Sequence, residues 1–333
     1  MKAPAFWWRE AGIASSVLAP VAAIFGAVAG RRMDRPGARA GVPVVCVGNV
    51  TVGGSGKTPT AIRLASILRE IGHSPAFLTR GYGGSLCGPV AVDTALHGSA
   101  EVGDEALLLA RVAPTIVSRD RPAGAALAVS LGVDVIVMDD GLQNPSLAKD
   151  LALAVFDGAV GIGNGRVLPA GPLRAPMAAQ WPRIGAVLVI GAGQPGDAIA
   201  RDAARRGLAV WRAALVPTGG AGDQLAGRPV LAFAGIGRPA KFFDTCRSLG
   251  MSVEIERAFA DHHPYRAEEI SALLDEAEAR NLVPVTTEKD AVRLAGLRAL
   301  EPRLGLIRTV AIEVELDDEE GLRRFLGEGL RTG

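Results

Sequence analysis

The residues best suited to do chemistry fall in two stretches. The first is Thr51-Val52-Gly53-Gly54-Ser55-Gly56-Lys57-Thr58, preceded by the apolar run Val44-Val45-Cys46-Val47. A glycine-dense turn ending in Gly-Lys-Thr, between a β-branched run and an amphipathic segment, has the make-up of a phosphate-cradling loop. Its glycines let backbone N–H groups approach phosphate oxygens. Lys57 would reach the outer phosphates and the Thr58 hydroxyl would ligate Mg²⁺. The strict pattern G-x-x-x-x-G-K-[ST] wants glycine at position 51, where this chain has Thr51, and Gly53 and Gly54 are the available substitutes. The competing reading is an ordinary glycine-rich turn. The second stretch is Asp134-Val135-Ile136-Val137-Met138-Asp139-Asp140-Gly141. It reads as a buried strand that carries adjacent carboxylates at its end. Such an acid is the partner a phosphate loop expects, holding Mg²⁺ or its water shell.

Other candidates are less sharply defined. Asp104 and Glu105 open an apolar helix, where they either complement the helix dipole or face the phosphate site as a base or metal-shell acid. Arg80 starts the glycine-rich segment Arg80-Gly81-Tyr82-Gly83-Gly84 at a strand end, the edge where open α/β sheets bind ligands. Arg119 and Arg121 follow another short strand, and Gln143 and Asn144 follow the aspartate pair. Arg166 and Arg174 sit in an irregular segment between residues 158 and 176, where arginines are candidates for anion binding. Asp261-His262-His263 holds two of the four histidines. An Asp–His pair assisting proton transfer competes there with a plain loop, and adjacent histidines diverge too far for a metal site. Thr286-Thr287-Glu288-Lys289-Asp290 reads as a strand-to-helix junction capped by Thr287.

The elements that must position these residues alternate between strand and helix, which gives an α/β fold. A three-layer α/β/α unit with the phosphate loop is expected over residues 41–215. A composition shift near 215–228 reads as a linker, and a smaller Rossmann-like α/β unit follows over 229–333. The chain of 333 residues is 49% hydrophobic, enough for a large core, and its net charge of +1 gives no argument for nucleic acid. Its three cysteines, Cys46, Cys87 and Cys246, lie in no metal spacing and fit a reducing compartment.

Residues 1–40 form a separate problem. Ala11 to Ala29 carries no charge and would span roughly 28 Å as a helix, close to a bilayer core. Trp7 and Trp8 precede it like an interfacial belt, and Arg31, Arg32, Arg35 and Arg39 follow it. A membrane anchor that spans or lies in the interface, a buried core helix, and a cleaved signal peptide are the three readings. Pro20 counts against a full span.

Taken together, the motifs resemble the tetraacyldisaccharide 4′-kinase (lipid A 4′-kinase) family. The resemblance rests on Val47 to Pro59, which carries the same threonine in the loop, and on Thr79-Arg80-Gly81-Tyr82-Gly83-Gly84, Val102-Gly103-Asp104-Glu105 and Asp139-Asp140-Gly141-Leu142-Gln143. Leu168 to Arg174, Asp261-His262-His263 and Thr286 to Val292 complete it. It implies an ATP-dependent kinase with Mg²⁺, acting on the 4′-hydroxyl of a lipid A precursor disaccharide. The expected location is the cytoplasmic face of a bacterial inner membrane, with the N-terminal helix on the lipid surface and no obligate protein partner. By the same resemblance, Asp104 is the base assisted by His262, residues 51–58 bind nucleotide, and Thr58, Asp139 and Asp140 hold metal. Arg80, Arg121, Gln143 and Arg174 hold substrate or the transferring phosphate. The family commonly has Arg-Glu-Pro where this chain has Arg174-Ala175-Pro176, and a histidine where it has Asn144. A membrane-associated nucleotide switch or ATPase without a lipid acceptor is the alternative.

Overall fold

In the computed structural model, which describes residues 3–218 and 224–331, the apolar runs pair into a single sheet of twelve strands. In chain order these are β1 (Val44–Gly48), β2 (Pro75–Thr79), β3 (Val90–Ala91), β4 (Thr115–Val117), β5 (Val135–Asp139) and β6 (Leu151–Asp157). They continue as β7 (Ala186–Ile190), β8 (Ala209–Thr218), β9 (Pro229–Ala234), β10 (Ser252–Ala258), β11 (Val283–Thr287) and β12 (Arg308–Leu316). Across the sheet the order is β10-β9-β11-β12-β8-β7-β6-β1-β5-β2-β4-β3. Pairing is parallel except where β12 meets β8 and β3 meets β4.

β1 is buried along its whole length because helices cover both faces of the sheet. Val45 and Val47 pack with Leu64, Ile67 and Leu68 of the helix Lys57–Glu70. Val44 and Cys46 point the other way, toward Ala125 and Ala128 of the helix Arg121–Ser130. The second unit repeats this layering: Phe242 and Phe243 of the helix Pro239–Ser248 cover one face of β9, and Ile270 and Leu274 of the helix Ala267–Ala279 cover the other.

The two units share one sheet. Thr309 and Val310 of β12 pair with β11, while Ala311 to Leu316 pair with β8, so one strand stitches the units together. Val216-Pro217-Thr218, read as linker, is the end of β8, held by Ala311, Ile312 and Glu313; residues 219–222 of that reading lie outside the described residues.

The N-terminal segment breaks into the helices Ile13–Val17 and Ala19–Met33. Pro20 stands in the first turn of the second helix, where its missing N–H is harmless but where a continuous helix would be interrupted. Among the described residues no helix is long and apolar enough to cross a membrane. A buried core helix does not hold either. Ala22, Gly26 and Met33 face inward, while Ile13, Val17, Val21, Ile24 and Val28 are exposed. Trp7 is no interfacial anchor, since its ring is buried and Nε1 donates to Pro169 O at 3.0 Å.

Candidate active site

The parallel register aligns the ends of the central strands. Val47 of β1 lies opposite Asp139 of β5, so the glycine-rich turn and the aspartate pair emerge side by side. Gly56, at φ 88°, turns the chain into the helix Lys57–Glu70, and a Cβ there would come within 2.5 Å of Ile190 Cδ1. Thr51 is buried in an antiparallel bridge to Leu173 and is absent from the residues with positive φ. An extended residue needs no glycine, which is why threonine fits where the strict pattern asks for glycine. Val52 N donates to Pro172 O at 2.9 Å and Arg174 Nε to Thr51 O at 3.0 Å, so the 166–174 segment backs the turn.

The two aspartates occupy different states. Asp139 is 1% exposed; Thr58 Oγ1 stands 3.4 Å from its Oδ2, and its Oδ1 is buried without a partner. Burial, with Glu105 and Asp140 nearby, pushes its carboxyl up to about 7. Asp140 adopts φ 53°, a strained left-handed conformation for a non-glycine residue. Arg174 grips it with Nη1 at 2.7 Å and Nη2 at 3.0 Å, and Lys57 Nζ lies 3.9 Å away. Burial raises this carboxyl, but Lys57 and Arg174 outweigh it and hold the group below its ordinary value.

A second pair of acids faces them. Asp104 begins the helix Asp104–Ala110 and is 3% exposed. A Cβ on Gly103, at φ 86°, would lie 2.4 Å from Tyr82 O, so glycine lets the Tyr82 loop press against the start of this helix. Asp104 Oδ2 lies 3.1 Å from His262 Nδ1, and Tyr82 packs edge-on against the same imidazole at 5.2 Å. His262 is itself left-handed, at φ 56°, and its N–H donates to Gly235 O at 3.0 Å. Burial works to raise Asp104, yet the hydrogen bond with His262 and the charges of Lys289 and Arg293 bring it below the ordinary carboxylate value. The hydrogen bond to Asp104 raises His262 against the opposing effect of burial. A buried carboxylate orienting an imidazole is an arrangement that accepts and moves a proton.

Comparison with known proteins follows the same line. The family described as tetraacyldisaccharide-1-P 4′-kinase matches residues 14–331. This chain belongs to the tetraacyldisaccharide 4′-kinase family. It is 59% identical to a tetraacyldisaccharide 4′-kinase of Methylobacterium sp. (strain 4-46), over 99% of this chain and 98% of the relative. It is 50% identical to a protein of the same name from Bradyrhizobium sp. (strain BTAi1), over 100% of this chain and 96% of that one. A crystal structure of LpxK from Aquifex aeolicus, described as an "apo" form in complex with ATP, superposes with a TM-score of 0.73 at 25% identity. That match covers 96% of this chain and all of the other.

Within this kinase family fold, the residues singled out from the sequence divide into groups. Lys57, Thr58, Asp139 and Asp140 converge at the ends of β1 and β5, and Asp104 meets His262 across the two units. Asp104 and Glu105 meet different partners: Glu105 is held by Lys289 at 2.7 Å, and Asp104 by the histidine at 3.1 Å. The other histidine of the pair, His263, contacts Glu269 at 3.1 Å. Of the four residues expected to hold substrate or phosphate, Arg121, Gln143 and Arg174 also make contacts within the protein. Arg174 holds Asp140, and Gln143 Nε2 donates to Asn49 O and Gln180 Oε1. Arg121 is 2% exposed, with Nη1 donating to Ser118 O at 3.1 Å and Nε buried without a partner. Arg80 alone of the four is exposed.

Sequence reasoning missed Lys289, Arg293, Asp157 and Arg238. Arg238, from the second unit, pairs with Asp157 at the end of β6 and donates to Gly54 O at 3.2 Å. These contacts join residues far apart in the chain, and no local spacing marks them.

Two protein oxygens fit a magnesium ion. Asp139 Oδ1 is buried and unpartnered, and Thr58 Oγ1 stands beside the same carboxylate. Mg²⁺ characteristically takes one or two carboxylate ligands and keeps several waters. Asp140 fits less well as a direct ligand, because both its oxygens are held by Arg174. Among the described residues no group of three or more His, Cys, Asp and Glu side chains is placed to hold a metal.

Proposed function

We propose that this chain uses ATP to phosphorylate the 4′-hydroxyl of a tetraacyldisaccharide 1-phosphate, giving the 4′-phosphorylated product. The observation that carries the reading is the Asp104–His262 contact, which links the unit that bears Lys57 and Thr58 to the second unit. Residues 41–215 act as the nucleotide unit and 229–333 as the smaller unit that supplies His262. Backbone N–H groups of residues 51–58 and Lys57 cradle the phosphates. Thr58 and Asp139 hold Mg²⁺, which when bound neutralises charge on the phosphate oxygens. Asp140, through Arg174, keeps the cradle closed around Lys57. Arg80 is left free to meet an anionic group of the substrate. Asp104 takes the proton of the sugar hydroxyl while His262 holds the carboxylate in line. Because the two halves of the site belong to different units, bringing the units together assembles it.

The test is transfer of radiolabel from [γ-³²P]ATP to tetraacyldisaccharide 1-phosphate in detergent micelles. Wild-type enzyme labels the lipid, and Lys57→Ala slows labelling by about 10²-fold or more. ATP hydrolysis by the wild type with no labelled lipid would favour the nucleotide switch instead.

The outward apolar stripe of the N-terminal helices supports a second part of the reading, that they lie in the interface of the inner membrane's cytoplasmic leaflet. Serine at Ile24, Phe25 and Val28 spares the inward contacts of Ala22, Gly26 and Met33. This triple variant is expected to leave the membrane fraction. Unchanged sedimentation with membranes would remove the stripe from that role.

A further inference from the structure

The junction at Thr286–Asp290 reads from the sequence as a helix start, and Thr287 Oγ1 does accept the Asp290 N–H at 3.1 Å. The helix Glu288–Leu294 also does something a cap does not explain. Lys289 and Arg293, four residues apart, lie on one face and meet two successive acids of the other unit. Lys289 Nζ is 2.7 Å from Glu105 Oε1, and Arg293 Nε is 3.3 Å from Asp104 Oδ2.

Arg293 is not a mobile surface side chain. It is 7% exposed, its Nη1 donates to Gly235 O at 3.0 Å, and the same nitrogen lies 3.2 Å from Asp290 Oδ1. Asp290 is fully buried and accepts from Gly235 N at 3.0 Å and from Tyr265 OH at 2.7 Å. The second unit therefore holds the guanidinium rigidly and presents it to the first. Gly235 also accepts the His262 N–H through its carbonyl, so the anchor of Arg293 is the anchor of the histidine.

We propose that Arg293, with Lys289 beside it, is a positioning residue for phosphoryl transfer, fixing the charge and direction of Asp104 when the two units are docked. The inference rests on Asp104 being the base. Two adjacent, poorly hydrated carboxylates on one helix turn cannot both stay ionised without compensation. Lys289 cancels Glu105, and Arg293 gives Asp104 a permanent positive partner that does not come and go with pH as His262 does. The geometry is also directional: Asp104 Oδ1 accepts the Glu105 N–H at 3.0 Å, which leaves Oδ2 to the imidazole and the guanidinium.

The charged groups around Asp104 are Glu105 on its own helix, His262 and Asp261 from the segment after β10, and Lys289 and Arg293, with Asp290 behind them. Asp139 lies across the site, where it too feels Lys289 and Glu105. Removing the Arg293 charge leaves Asp104 easier to protonate, so activity should fail at a higher pH than in the wild type.

The experiment compares wild type with Arg293→Met, Arg293→Lys, Lys289→Met and Asp104→Asn, each as full-length enzyme in micelles with ATP, Mg²⁺ and tetraacyldisaccharide 1-phosphate. Arg293→Met is expected to lower kcat by about 10–100-fold with less than about a threefold change in KM for ATP. Its acid limb in kcat/KM moves to higher pH, and Arg293→Lys recovers most of both. A wild-type kcat in Arg293→Met overturns the proposal. So does a low kcat with an unmoved limb that lysine fails to rescue, since that is what lost packing alone produces. If Arg293→Met does not fold, Lys289→Met decides: its limb must move the same way by a smaller amount, and an unmoved limb overturns the proposal. Asp104→Asn separates the two ideas. Full activity there removes the base itself. An inactive Asp104→Asn beside an indifferent Arg293→Met removes only the positioning role.

Discussion

Two pairs of neighbouring acids, Asp104-Glu105 and Asp139-Asp140, face each other across this site, and they are handled in opposite ways. Both members of the first pair are matched by groups from the second unit: His262 and Arg293 for Asp104, Lys289 for Glu105. The second pair is served from within its own unit, and only partly. Asp140 has Arg174 and Lys57, while Asp139 keeps a buried oxygen with no partner at all. The saturated pair depends on how the units dock. The unsaturated pair keeps an open position, which suits a cation arriving with the nucleotide. Buried carboxylates are rarely left unpartnered without a functional reason.

That contrast can be broken in two ways. The largest effect is expected from Asp104→Ala, which should cut kcat by about 10²–10⁴ while changing KM for ATP far less, because the base acts in the transition state and not on the nucleotide. Steady-state kinetics with both substrates checks this, and an unchanged kcat would strip the first pair of its chemistry.

The smaller effect concerns stability. The Asp139 carboxyl sits near 7 in the folded protein against 3.8 as its ordinary value, so ionising it costs the native state more than the unfolded one. That cost accumulates as pH rises between those values and is complete above 7. Asp139→Asn removes it, so in the absence of Mg²⁺ the inactive variant should melt higher than wild type at pH 8, by roughly 3 °C or more. The gain should shrink below pH 7 and vanish near pH 4. A variant that melts lower at every pH would mean that Asp139 is a structural hydrogen-bonding group, and the open position would lose its significance. Scanning calorimetry across pH is the measurement.

Much of the fold was legible because its strands are buried on both faces. Val44 to Val47 and Val135 to Met138 are apolar runs with almost no alternation, the signature of a parallel sheet covered by helices. The strand–turn–helix around Gly56-Lys57-Thr58 was legible for a local reason, since glycine at a left-handed position and a helix start are both written in adjacent residues. The joining of the two units was not. β12 divides its pairing between β11 and β8, and nothing in its own sequence says that two partners will claim its two halves. For the N-terminal segment, hydropathy left a span open while Pro20 counted against it, and the structure places the break at Leu18, just before that proline. The contacts that Arg121, Gln143 and Arg174 make within the protein were not legible, because a sequence shows a polar group but not the carbonyl or carboxylate it meets.

By itself the sequence determined the alternation of strand and helix, the glycine-rich turn with Lys57 and Thr58, the presence of Asp104, Asp139, Asp140 and His262, and membership in a kinase family. Those are properties of neighbouring residues, set by steric freedom, burial pattern and residue chemistry over a few positions. Only the tertiary structure decided that His262 reaches Asp104 across the two units, that Lys289 and Arg293 answer Glu105 and Asp104, and that Asp139, among these four acids, keeps a buried oxygen without a partner. A contact between residues 158 positions apart has no local signature, because the free energy that makes it comes from packing two units together and not from either segment.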